Sequence, residues 1–220
     1  MQKAWYGSSV WGQACLWMIA GLFLFYSGAN SFAQQRTALS PEKQEAAQKM
    51  EAQYIAKKLK LSDDNTSKMV GAYFKARKSL TDARQALRSE GTRGWEAYRE
   101  ILDKERVKLE GEIGKFLKEK KVKKAMESLG TFNTSWDRMV DALAGFKLEE
   151  KALNKALDKV NAYVIDSAKL MQEARESGSF REIRPKFQQL RDNLDKAMEG
   201  ILSAEQLEQW KLVAARRGRS

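Results

Sequence analysis

Leu202-Ser203-Ala204-Glu205-Gln206 sets a hydroxyl three residues ahead of a carboxamide. At a helix start that spacing makes hydrogen bonds: the serine oxygen accepts from a backbone N–H inside the helix, and the glutamine reaches back to the serine N–H. Leu61-Ser62-Asp63-Asp64-Asn65 repeats the layout with asparagine in the last place. No set of side chains in the sequence points to bond-breaking chemistry. Glu149-Glu150 is a carboxylate pair of the kind any acid-rich helix carries, with no sign of a pocket that would shift its protonation. The chain has no histidine, and its single cysteine, Cys15, lies near the amino terminus. Beyond residue 33 this excludes disulfides, zinc sites of cysteine and histidine, and any triad or dyad built on either residue. The sequence therefore assigns no catalytic residue, no metal ligand and no cofactor, and reads as a binding protein rather than an enzyme.

Other candidates have plainer readings beside them. Lys118, Lys120, Lys121, Lys123 and Lys124 could touch phosphates, but only Val122 interrupts them, and nucleic-acid grooves need interleaved aromatics. The run reads as a solvated helix face, and no specific nucleic acid is expected. Arg216-Arg217-Gly218-Arg219 is a loose basic tail. Asn65-Thr66-Ser67 and Asn133-Thr134-Ser135 fit the N-glycosylation pattern, which is common by chance. Trp95, Trp136, Trp210, Phe74, Phe146 and Phe187 recur at helical spacing and read as core; the alternative is a client-binding surface.

The elements that must position these residues are helices. Phe180, Ile183, Phe187, Leu190, Leu194, Ala197 and Ile201 recur in steps of three and four, the apolar seam of an amphipathic helix. Pro185 lies one turn into it and predicts a late start or a kink. Ser40-Pro41 reads as a helix start, and a long helix is expected over 63–89. Gly91-Thr92-Arg93-Gly94 turns the chain into a returning helix with Trp95, Tyr98, Leu102, Leu109, Ile113 and Phe116, its seam interrupted at Glu105 or Arg106. Gly111 and Gly114 weaken that helix or mark a close helix contact. Lys118–Leu129 reads as a short helix, and Gly130–Thr134 as the internal boundary. The pattern then restarts: a short helix around Trp136 to Phe146, a long one carrying Leu153 to Met171, a turn at Glu176-Ser177-Gly178-Ser179, the Phe180 helix, and a last one holding Trp210, Leu212 and Val213.

The two halves match by position. Tyr98 aligns with Ile183, Leu102 with Phe187, Leu109 with Leu194 and Phe116 with Ile201, all 85 residues apart. Leu59 aligns with Phe146, Leu61 with Leu148 and Gly91 with Gly178, all 87 apart. The expected fold is all-α: two tandem long antiparallel helical hairpins with shorter flanking helices, one unit over 34–130 and a second over 131–220, packed either as one bundle or as two lobes.

Residues 1–33 read as a secretory signal: Lys3, an apolar run from Leu16 to Tyr26, and small residues at Ser31-Phe32-Ala33. The run is short for a span, which needs about 20 apolar residues, so no stable membrane span is expected after cleavage. The expected location is periplasmic or secreted. The net charge is +11, and Lys3 is the one charged side chain before residue 34, so +10 remains. That balance suits contact with polyanions through a basic surface, or simply solubility.

Leu202-Ser203-Ala204-Glu205-Gln206 and Leu61-Ser62-Asp63-Asp64-Asn65 resemble the motif of the periplasmic LTxxQ-motif family, the spheroplast protein Y and CpxP-like proteins. Serine replaces threonine in both, and the motifs stand 141 residues apart, too far for one hairpin. The corresponding positions Leu117-Lys118 and Leu148-Glu149 have lost the polar cap. A tandem duplication, one chain in place of the family's cradle-shaped dimer, accounts for this. The resemblance implies an exported, ATP-independent chaperone or envelope-stress protein whose partners are unfolded or envelope proteins. The alternative is an envelope structural or adaptor protein that binds an acidic polymer or a specific partner. Metal sensing, which some relatives suggest, ranks last because only carboxylates are left to bind.

Overall fold

The structure, a computed structural model, describes residues 39–91 and 95–215. The signal-like segment, Thr92 to Gly94 and the arginine tail lie outside the described residues. Eight helices and no strand are found among those described: α1 (Pro41–Lys58), α2 (Asp63–Ser89), α3 (Trp95–Gly114), α4 (Glu119–Leu129), α5 (Thr134–Gly145), α6 (Glu150–Ser177), α7 (Phe180–Glu199) and α8 (Ala204–Ala215). The protein is all-α. No described helix is long and apolar enough to cross a membrane.

Local signals set most of the ends. Ser62 is extended, and its Oγ accepts from the Asn65 N–H at 3.4 Å, with Asp63 and Asp64 at the positive end of the α2 dipole. Asn133 Oδ1 accepts from the Ser135 N–H at 2.9 Å and caps α5, a structural use for one of the two glycosylation-like asparagines. Lys118 and Glu149 precede α4 and α6 with no side-chain cap bond, as the lost polar residues predict. Gly91 and Gly178 close the long helices at φ of 74° and 67°, the left-handed region that favours glycine. Pro185 produces no late start: α7 begins at Phe180 and runs through it. Phe116, expected within α3, falls beyond its end at Gly114 and packs against the core from the connection to α4.

Each long helix packs on its return helix, α2 on α3 and α6 on α7. The shorter helices join the two hairpins: α1 lies against α2 and α5, α4 against α1, α3 and α6, and α8 against α5 and α7. From Pro41 onward the chain forms one compact unit, whose continuous apolar core draws on both sequence halves. Met69, Tyr73, Leu109 and Ile113 come from the first, and Trp136, Val160, Met198 and Trp210 from the second. The stretch expected to separate the units is itself packed. Phe132 is buried, stands at φ 45°, and stacks on Tyr73 with ring centroids 6.3 Å apart and planes 5° from parallel.

The matched spacing extends to backbone and burial. Lys60 and Lys147, 87 residues apart, both take a left-handed conformation, at φ of 51° and 50°. Leu109 and Leu194, Ile113 and Met198, and Leu117 and Leu202 are buried pairs 85 residues apart. The seam fades at the hairpin tips. Phe180, the first residue of α7, is 57% exposed although it heads the apolar repeat, because it lies at the turn where the helix has just begun. In α2 the last buried residue is Leu80, nine residues before the helix ends.

Candidate binding cleft

An open cleft of about 1440 Å³ is lined by α3 and α7 together with parts of α2, α4, α6 and α8. Small-molecule pockets are usually about 300–1,000 Å³, so this one suits a longer ligand. Each return helix lines it with the same sequence of side chains. Arg99, Leu102 and Arg106 of α3 and Arg184, Phe187 and Arg191 of α7 all reach the cleft. Within each trio the spacing is three then four, which puts the residues on one helix face. The trios correspond at the 85-residue offset, so the repeat carries polar as well as apolar positions.

Met126, Phe132 and Tyr163 are buried and form part of the apolar lining. Around them stand eight basic and five acidic side chains. Some of this charge is neutralised locally. Arg191 Nε donates to Asp195 Oδ2 at 3.2 Å, while Asp195 Oδ1 accepts from Trp210 Nε1 at 2.9 Å, tying α8 to the cleft wall. Arg99 lies 3.7 Å from Asp103, and the Arg84 guanidinium lies 5.2 Å from the centre of the Tyr98 ring. Arg106 and Arg184 are exposed and have no acidic partner within 4.0 Å among the described residues. The arrangement can hold anionic groups on guanidinium forks and apolar groups on the surface between them.

A second polar cluster is sealed inside the core. Glu51 of α1, Tyr73 and Arg77 of α2 and Asp137 of α5 are each at most 3% exposed. Tyr73 Oη donates to Glu51 Oε2 at 2.8 Å, Arg77 Nη1 donates to Tyr73 Oη at 3.3 Å, and Arg77 Nη2 is ion-paired with Asp137 Oδ2. Gln44 Nε2 also donates to Asp137 Oδ2, at 3.4 Å. Burial, then the nearby Asp137 charge, push the Glu51 carboxyl well above the usual range and favour its protonated form. This network pins α1 and α2 to α5 and has no access for a ligand.

The residues singled out in the sequence take structural places. Ser203 and Gln206 form the expected capping box: Ser203 N–H donates to Gln206 Oε1 at 2.9 Å and Gln206 N–H to Ser203 Oγ at 3.3 Å. Gln206 Nε2 also donates to the Phe146 carbonyl at 3.2 Å, which fastens α8 to the end of α5. Leu202 is buried and Leu61 half-buried against the core. Neither motif lines the cleft. Of the aromatics weighed as a client surface, Trp136 and Trp210 are fully buried, and Phe74 and Phe146 are half-buried. Phe187 lines the cleft, and the Trp95 side chain lies outside the described residues. The lysine run is a surface face, with Lys123 paired to Glu119 at 2.6 Å. Glu150 is exposed and paired with Lys57, whose hydrogen bond and charge hold its carboxyl below the usual range. No cluster of three potential metal ligands occurs among the described residues.

Apolar periodicity alone does not mark the cleft arginines. The signal was present: the 85-residue offset superposes Arg99 on Arg184 and Arg106 on Arg191. No family model, curated protein or solved structure matches the chain.

Proposed function

We propose that this protein is an exported helical binding protein that holds unfolded or stress-damaged envelope proteins without nucleotide. The observation that carries the reading is the cleft, large, open and lined by alternating arginines and apolar side chains on both return helices. Such mixed surfaces bind many partners loosely and release them without an energy source. The signal-like first 33 residues support export, and the resemblance of the Leu61 and Leu202 stretches to the LTxxQ motif supports the chaperone class. On this reading the duplicated halves do within one chain what two subunits do in the family's cradles. A chain that sediments as a dimer of interlocked halves counts against that part.

The test is an aggregation assay on the chain from Gln34 onward, with an unfolding client followed by light scattering, without nucleotide, at low and moderate salt. Suppression at near-stoichiometric amounts is expected. Failure with several clients of different charge rejects a general holdase. One observation favours the second reading, an envelope adaptor for an acidic polymer or a dedicated partner: Arg106 and Arg184 line the cleft without acidic partners among the described residues. Polymer binding that falls steeply with salt, in the absence of aggregation suppression, identifies that case.

A further inference from the structure

We infer that the cleft selects extended polypeptide segments that read acid–apolar–apolar–acid. The inference rests on the proposed binding role and narrows it to a ligand class. On each wall two arginines stand seven residues apart, Arg99 and Arg106 on α3, Arg184 and Arg191 on α7. Seven residues of helix rise about 10.5 Å. Leu102 and Phe187 lie between the arginines of their respective walls.

An extended chain advances about 3.3 Å per residue, so two carboxylates three residues apart are separated by about 10 Å along the chain. Successive side chains in such a chain point to opposite sides. The first and fourth residues therefore face different walls at different heights, and each meets an arginine. The second and third also face different walls, where Leu102 and Phe187 offer apolar surface. Since each wall presents the order arginine–apolar–arginine, the fit is the same in either chain direction.

The acidic side chains in the cleft separate this ligand from a dense polyanion. Asp103 and Asp195 lie one turn beyond Arg99 and Arg191 and are paired with them. A polymer with a charge on every unit brings negative groups against these carboxylates. A polypeptide with two uncharged residues between its acids does not.

The experiment is fluorescence anisotropy with the full-length protein and labelled ten-residue peptides. One carries Asp-Leu-Phe-Asp at its centre, one the same residues as Leu-Asp-Asp-Phe, and one Lys-Leu-Phe-Lys. Unlabelled inorganic polyphosphate of matched charge serves as competitor. The first peptide is expected to bind at least about tenfold more tightly than the other two. An Arg106→Ala, Arg184→Ala variant is expected to lose at least about tenfold of that affinity. Both side chains are exposed, so its circular dichroism and melting temperature should match the parent. Equal affinity for the two acidic peptides, affinity unmoved by the double substitution, or stronger binding of polyphosphate overturns the inference. The aggregation assay separates it from the broader reading. A protein that suppresses aggregation but does not discriminate the peptides is a holdase without this preference. One that discriminates them but leaves aggregation unchanged has the preference without the holdase role.

Discussion

Tyr73 Oη donates to Glu51 Oε2 at 2.8 Å in a part of the core that both side chains reach fully buried. Asp137 also acts on this carboxyl, and its negative charge adds to burial in raising the Glu51 pKa. Glu51 Oε1 and Asp137 Oδ1 are both buried without a hydrogen-bond partner, an arrangement that a proton shared from Glu51 would relieve. Folding therefore takes up a proton between the ordinary glutamate range and the raised folded-state value. Because the folded-state pKa is raised, the stabilisation is complete below the unfolded value and is lost as pH rises toward the folded one. Unfolding free energy of the parent should fall relative to a Glu51→Gln variant above about pH 4.5, by at most about 1.4 kcal/mol per pH unit. Urea titrations of both proteins from pH 5 to 9 check the sign. Parallel curves reject the shared proton.

Arg77 and Asp137 are the charged half of the same cluster. Removing the guanidinium alone leaves a buried carboxylate with no opposite charge, so Arg77→Met should cost about 3–5 kcal/mol. Exposed pairs such as Lys68–Asp64 are worth about 0–1 kcal/mol, and Lys68→Met is the control. Chemical denaturation of the two variants separates the cases, and a loss below 1 kcal/mol for Arg77→Met contradicts the burial argument.

Much of the helical layout was legible, because it depends on residues within a turn of each other. The long helix over 63–89 follows from Ser62, the two aspartates and an unbroken apolar seam ending before Gly91. What depended on distant partners was not legible. Glu51 and Arg77 carry no local sequence signal of burial; their cluster exists only because α5 brings Asp137 to Arg77. Gly130–Thr134 has the composition of a linker, yet Phe132 turns inward because Tyr73, 59 residues earlier, offers a ring to stack on. The cleft is harder still, since it exists only in the relation of α3 to α7, although the repeated arginines marked its walls.

The capping box at Ser203 and Gln206 should be worth more than the cap at Ser62. Gln206→Ala removes the bond to the Ser203 N–H and the one to the Phe146 carbonyl, at a cost of about 1–2 kcal/mol. Ser62→Ala loses a single cap contact of 3.4 Å and should cost about 0.5–1 kcal/mol. Thermal melts should rank the two in that order. If Gln206→Ala proves the milder change, the link between α8 and α5 contributes nothing beyond ordinary capping.

Three glycines give opposite expectations from one substitution. Gly111 and Gly114 are exposed within α3, and a Cβ at either meets no atom within 4 Å, so they do not mark a close helix contact. Alanine at each should stabilise by up to about 1 kcal/mol, since it restricts the unfolded chain and favours helix. Gly130 has an ordinary φ of −69°, so its backbone alone would tolerate a side chain. Space forbids it: a Cβ there lies 2.6 Å from the Met126 carbonyl oxygen and 2.9 Å from Met126 Cε. The methyl can move aside, but the carbonyl is fixed in the last turn of α4, so the chain must shift. Gly130→Ala should cost about 1–3 kcal/mol, as overpacked sites do. Melting temperatures of the three single variants should rise for residues 111 and 114 and fall for 130. A neutral Gly130→Ala shows that the turn between α4 and α5 can yield, and that Phe132 keeps its place on Tyr73 without a fixed backbone beneath it.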